Sequence, residues 1–238
     1  TGGAGAVAVD PATGRSADIR EALFAASPAK LQAVNLAEQA RGIMFPPLDR
    51  QRLESVLSMF EQSMDLDPSY HGGHAGAAQV QAMLAMTSPS APYREDTLAN
   101  AATDAARAVD LAPADGWSHS ALALVAMGNR QYGQALDISE RARTLSPDDP
   151  HVLEFDALIA LFSGEFERAL AASAPPDHSQ RADHRFSHRN VSAAANYHLG
   201  DDKETIRLFT EAARAGDPIS AISMSYLIAA HHNLGDHD

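Results

Sequence analysis

Apolar residues recur along this chain at the spacing of helical faces. Leu53, Val56, Leu57, Phe60 and Met64 form one stripe on a helix expected over 48–65. Ile19, Leu23 and Phe24 share a face in a shorter helix over 16–26, capped by Ser16 or Asp18. Proline punctuates the pattern, because it has no N–H to donate and disfavours helix in the residue before it. Ser27-Pro28 ends the first helix and opens one over 29–44, which Phe45-Pro46-Pro47 stops in turn. Continued in this way, the pattern predicts helices over 71–86, 94–111, 115–128, 132–145, 150–163, 165–174, 180–199, 203–215 and 219–234. Pro175-Pro176 cuts the 165–174 helix short. Residues 1–17 are rich in Gly and Ala and read as a linker; Val7-Ala8-Val9 has strand character but no visible pairing partner.

These helices are in step. Leu111-Ala112-Pro113 and Leu145-Ser146-Pro147 lie 34 residues apart, as do Ala108 and Ala142, Tyr132 and Phe166, Ala135 and Ala169, and Leu136 and Leu170. A fixed period of that length marks a stack of helix–turn–helix units, so the chain reads as one elongated all-α domain. Leu66-Asp67-Pro68 belongs to the same series, but Pro68 to Pro113 is 45 residues, and the 11 extra are assigned to a break over 87–92. Helices pair from 29 onward, giving about five to six pairs with the last incomplete. The helix over 219–234 runs into Gly235-Asp236-His237-Asp238 with no second helix to cover its apolar face. Self-association through that uncovered helix is therefore one expectation.

Gly164-Glu165-Phe166-Glu167-Arg168-Ala169, with Gly200 and Gly235 at the equivalent turns, resembles the tetratricopeptide repeat (TPR) family. Glycine in such a turn adopts a positive φ without a Cβ clash. Ala135, Ala142, Ala169 and Ala212 match the family's close helix crossings, Phe60 and Phe209 its second-helix aromatic, and Pro68, Pro113 and Pro147 its exit proline. Arg130 stands where a turn glycine is expected, Thr205 replaces an early alanine, and the usual first-helix tryptophan position is not filled by Trp. The resemblance covers about residues 30–238 and implies a right-handed superhelical solenoid whose first helices line a concave groove. Carried over, the groove positions are Trp117, Ser120, Leu124 and Met127; His151, Glu154, Leu158 and Leu161; Ser187, Asn190, Ala194 and Tyr197; and Ile222, Ser225, Ala229 and His232.

A narrower segment, Arg41 to Asp49 followed by Phe60 to Pro68 and Gly72-Gly73-His74-Ala75-Gly76, is similar to repeat regions that follow the catalytic domain of bacterial class III adenylate cyclases. That resemblance implies a regulatory or partner-binding half of a larger signalling protein.

Composition narrows the class of partner. Hydrophobic content of 45% with only 6% aromatics suits closely packed helices better than a β-sandwich. A formal charge of −13 disfavours a phosphate backbone or an anionic membrane as partner and favours a neutral or basic one. No apolar run is long enough to insert into a membrane. The lack of cysteine removes disulfide and thiol chemistry and fits the cytosol best.

Candidate chemistry is thin. No nucleophile elbow, phosphate-binding loop or dinucleotide pattern is present, and the pairs Asp148-Asp149 and Asp201-Asp202 fall at turns where carboxylates cap helices, so neither catalysis nor a cofactor is expected. His184/His188 and His71/His74 have helical ligand spacing but no third or fourth ligand beside them. The cationic stripe Arg181, Arg185 and Arg189, at i, i+4 and i+8, is the candidate for an anionic ligand. Two functions follow: a peptide or protein scaffold, or an anionic-metabolite sensor built around Trp117, Tyr197 and Arg185/Arg189.

Overall fold

The computed structural model describes residues 27–44, 50–88, 90–173, 188–217 and 219–236. Among them the chain forms eleven helices and no strand. They are α1 (Pro28–Ile43), α2 (Arg50–Leu66), α3 (His71–Thr87), α4 (Arg94–Leu111), α5 (Gly116–Gly128), α6 (Tyr132–Leu145), α7 (Pro150–Phe162), α8 (Phe166–Ser173), α9 (His188–Leu199), α10 (Asp202–Ala215) and α11 (Ala221–Asn233). The expected linker, the helix over 16–26 and the proline breaks at 45–47 and 175–176 lie outside the described residues.

Local chemistry sets the boundaries. Ser27 caps α1, Asp115 α5, Asp149 α7, Asp201 α10 and Ser220 α11, each side-chain oxygen accepting a first-turn amide. Pro28 and Pro150 occupy the first helical position, where no N–H is needed. The tight turns after α7, α9 and α11 repeat one geometry. Glu165 N donates to Ala160 O at 2.9 Å, Asp201 N to Asn196 O at 2.9 Å and Asp236 N to His231 O at 3.0 Å, around Gly164, Gly200 and Gly235 at φ of +85°, +84° and +76°. The α5–α6 turn makes the same bond, Gln131 N to Ala126 O at 2.9 Å, but places Arg130 at φ +62°. The repeat geometry has overridden the residue's own preference there.

The pairs α1/α2, α3/α4, α5/α6, α7/α8 and α9/α10 pack in order, with α11 beginning the next. First helices of successive pairs lie against one another. Each second helix packs on its own first helix and on the first helix that follows, without comparable contact with other second helices. One layer is thus closely spaced and the other splayed, which curves the stack with α1, α3, α5, α7, α9 and α11 inside. This is a TPR-like solenoid.

Small side chains let the layers approach. Ala135, Ala142, Ala169 and Ala212 are essentially inaccessible, as are Phe60 and Phe209. A Cβ on Gly76 of α3 would fall 2.0 Å from the Phe60 ring of α2. Where the family pattern is broken, a hydroxyl compensates: buried Thr205 donates to Ala193 O of α9 at 3.1 Å and to Asp201 O at 2.9 Å. The 11 extra residues between Pro68 and Pro113 do not all sit in the 87–92 break. Helices α3 and α4, at 17 and 18 residues, each exceed α5 and α6, at 13 and 14, by about one turn. Lengthening both partners of a hairpin by a turn keeps their faces in register, so the stack is undisturbed.

Candidate functional site

The inner face divides into a closed half and an accessible half. In the closed half, Trp117, Ser120, Leu124 and Met127 are 3%, 2%, 0% and 5% exposed, so these four expected groove residues present no surface to a ligand. The reason lies in contacts between helices far apart in sequence. The indole N–H of Trp117 donates to Gln79 Oε1 of α3 at 2.8 Å, and Phe60 and His71 meet its ring edge-on at 6.2 and 6.4 Å. The guanidinium of Arg41, from α1, lies 4.2 Å over that ring and bonds both carboxylate oxygens of Asp149, at 2.9 and 2.8 Å. Asp149 is also the cap of α7. Arg41 thus spans from α1 across α5 to α7, and its cation–π and ionic contacts hold Trp117 as an internal brace. No sequence signal joins Arg41 to Asp149, because 108 residues separate them.

Two histidines anchor the turns that follow exit prolines. His74 Nε2 bonds Pro68 O at 3.2 Å and His119 Nε2 bonds Pro113 O at 3.0 Å. Each ring sits six residues after an exit proline, where it donates to the proline carbonyl that opens the next helix. His74 also meets Asp104 at 3.1 Å, whereas His71 faces Ser118 and Asp115 at 3.3 and 3.4 Å. The pair expected to share a face therefore diverges to different partners. Among the described residues no three His, Cys, Asp or Glu converge as metal ligands.

The accessible half begins at α7. His151, Glu154, Leu158 and Leu161 are half-buried on it, as are Asn190 and Tyr197 on α9, while Ala194 is buried. On α11, Ile222, Ser225 and His232 are exposed and Ala229 is half-buried. Tyr197 belongs to an aromatic patch that sequence reasoning did not assemble. His198 stacks flat on Phe166 of α8, with centroids 4.5 Å apart and planes 5° apart, and Tyr226 of α11 tilts against Tyr197 at 5.1 Å. The Tyr226 hydroxyl and His198 Nε2 are 3.2 Å apart. Burial, with Tyr197 adding, raises the Tyr226 phenol above its ordinary pKa. The turn register held a signal: His198 lies two residues before Gly200 and Phe166 two after Gly164, so neighbouring turns bring them face to face.

Of the cationic stripe only Arg189 falls among the described residues. Arg181, Arg185 and Ser187 lie outside the described residues. Arg189 is bound to Asp217, beyond the end of α10, at 2.9 Å. Its guanidinium is thus committed to a carboxylate of the same array rather than held open for an anion. Another buried ionic group ties α6, α7 and α8: Asp156, 1% exposed, accepts from Ser139 at 2.8 Å and Arg168 at 2.7 Å, with Arg143 at 3.6 Å.

No protein-family model matches this chain, and no curated protein matches it. Among solved structures, PilF of Pseudomonas aeruginosa is similar, with a TM-score of 0.56 and 17% identity over 89% of this chain and 88% of that one. YrrB, described as a TPR protein with an unusual peptide-binding site, aligns over 85% of this chain and 97% of its own at 15% identity and a TM-score of 0.47. At these identities the likeness to PilF is one of fold, and the overlap with YrrB is too loose to support an inference. No helix among the described residues is long and apolar enough to cross a membrane.

Proposed function

We propose that this chain is a non-catalytic interaction scaffold that holds a peptide or protein segment along the inner face of its second half. The observation that carries this reading is the contrast between the two halves. Arg41 and Trp117 seal the layer around α5, while Leu158 and Tyr197 stay half-accessible on α7 and α9 beside the Phe166–His198–Tyr226 patch. Apolar anchors set in a curved helical layer suit an extended or helical segment, and aromatic rings bury large area with few rotors to freeze. The net charge of −13 speeds encounter with a basic partner and leaves a neutral one unrepelled. The parent we propose is a larger signalling protein such as a class III cyclase; this rests on the sequence segments Arg41 to Asp49, Phe60 to Pro68 and Gly72 to Gly76 alone.

The test is selection of peptides from a random display library, followed by calorimetric affinities for wild type, Leu158→Ala and Tyr197→Ala. Selected peptides are expected to lose about tenfold or more in affinity on each variant. Peptides that bind both variants as tightly as wild type, with unchanged helical circular dichroism, refute the assignment.

A further inference from the structure

The Trp117 ring and the Asp149 carboxylate together form a guanidinium site that is built without α1. Trp117 is held from α2 and α3, by Phe60 and His71 at its edges and by Gln79 at its N–H. Asp149 is held by α7, where its Oδ1 accepts the amides of His151 at 2.9 Å and Val152 at 3.2 Å. A ring face beside a fixed carboxylate selects the flat guanidinium of arginine over the compact ammonium of lysine. The occupant comes from α1 and fits imperfectly. Both of its bonds to Asp149, at 2.9 and 2.8 Å, leave from Nη2, so a single nitrogen straddles the carboxylate where two parallel N–H groups would make the stronger fork. Arg41 Nε is buried and has no acceptor among the described residues. The helix that carries it packs on α2 and α3 and buries only Ala33, Ala37, Ala40 and Arg41. It reaches α5 and α7 through the guanidinium.

We infer that this is an arginine-binding site which the chain fills with its own Arg41, and that an arginine from a basic partner segment displaces it. Charge and shape select that occupant. Asp149, Asp115 and His71 leave 25%, 29% and 27% of their side chains open to solvent, so the site has an entrance. Exposed Glu38 stands beside them, and Glu38, Arg41 and Asp115 all lie close enough to act on the Tyr70 phenol. Withdrawing Arg41 from these carboxylates would leave part-buried charge unpaired, so exchange for another guanidinium is favoured over an empty site. Arg41 has the advantage of its tether; a partner segment has that of geometry, because an untethered arginine can offer Asp149 two nitrogens, and of several arginines within reach. The Arg41 contact is thus autoinhibitory: it closes the ring face of Trp117 while seated and yields that face to a partner on leaving. The site lies on α5 and α7 and adds to the second-half groove a ligand surface of its own.

Trp117 is the sole indole and lies under the Arg41 guanidinium, so its emission reads the exchange directly. The 238-residue chain is titrated with acetylated hexa-arginine amide and, in parallel, acetylated hexa-lysine amide, at about 150 mM salt, where exposed charges more than about 8 Å apart are screened. Hexa-arginine is expected to shift the emission saturably, and hexa-lysine to do so at least about tenfold more weakly. Arg41→Ala vacates the site and should bind hexa-arginine at least about tenfold more tightly than wild type. Adding Asp149→Asn, which keeps the cap of α7, should cancel that gain. Emission that hexa-arginine leaves unmoved, or that hexa-lysine moves equally, overturns the inference. So does an Arg41→Ala protein that keeps its helical circular dichroism and binds no tighter than wild type. Should that variant unfold, the comparison of the two peptides on wild type decides alone. Leu158→Ala and Tyr197→Ala are read on other peptides, so failure here leaves the scaffold proposal standing.

Discussion

Gly76 is the position where the close crossing of the two layers can be measured. Replacing it with alanine in the middle of α3 favours the helix by about 1 kcal/mol through reduced backbone entropy. Packing acts against it. The new Cβ would lie 2.0, 2.2 and 2.4 Å from three Phe60 ring atoms, so the ring must retreat by about 1.4 Å to restore ordinary contact. Phe60 is fully buried and abuts the edge of Trp117 at 6.2 Å, which leaves no space for that retreat. Overpacking of this depth costs about 3 kcal/mol, so Gly76→Ala should destabilise by about 2 kcal/mol net. Urea unfolding followed by Trp117 emission reports on this region, because Trp117 is the sole indole and touches Phe60. Phe60→Leu should cost about 1–2 kcal/mol in wild type but almost nothing in the Gly76→Ala background, giving a coupling energy of at least about 1 kcal/mol. Gly133→Ala is the control: nothing lies within 4 Å of its Cβ, so a gain of a few tenths of a kcal/mol is expected. If Gly76→Ala proves as stable as wild type, or the two substitutions are additive, the tight α2–α3 crossing is refuted.

Three further outcomes follow from the same geometry. Arg130→Gly relieves a left-handed residue in a turn where its counterparts are glycine, and should stabilise by about 0.5–1 kcal/mol in urea titration; a loss of stability would show that the Arg130 side chain matters more than its backbone. Asp156→Ala leaves Arg168 and Ser139 without their shared acceptor and should cost about 2–3 kcal/mol, moderated because both arginines reach solvent; a change below about 0.5 kcal/mol would refute a structural role for the cluster. Burial, reinforced by Glu38, raises the Tyr70 phenol well above the ordinary value of 10.0. The folded state therefore keeps Tyr70 neutral where the unfolded chain ionises it. Stability is unaffected by this group below about pH 10 and falls above it, by up to about 1.4 kcal/mol per pH unit. Tyr70→Phe should flatten that alkaline decline, and an unchanged slope would sink the argument.

Periodicity and turn chemistry were legible in the sequence. The 34-residue step of Ala108/Ala142 and Ala135/Ala169, the glycines at 164, 200 and 235, and the exit prolines are local demands of a helical hairpin, and each residue meets its demand within a few positions of itself. Helix order, pairing and the solenoid follow from them. Which inner-layer residues stay open to solvent does not. Trp117 occupies a groove register, yet Arg41 from α1 and Asp149 from α7 close over it, and no local pattern encodes a contact between residues 108 apart. Arg189 likewise reads as part of a cationic stripe until the end of α10 brings Asp217 to within 2.9 Å. A helix's own residues determine that it forms and which faces are apolar. Only the curvature of the assembled stack decides which of those faces meet each other and which meet water, because curvature sums small packing offsets over many helices.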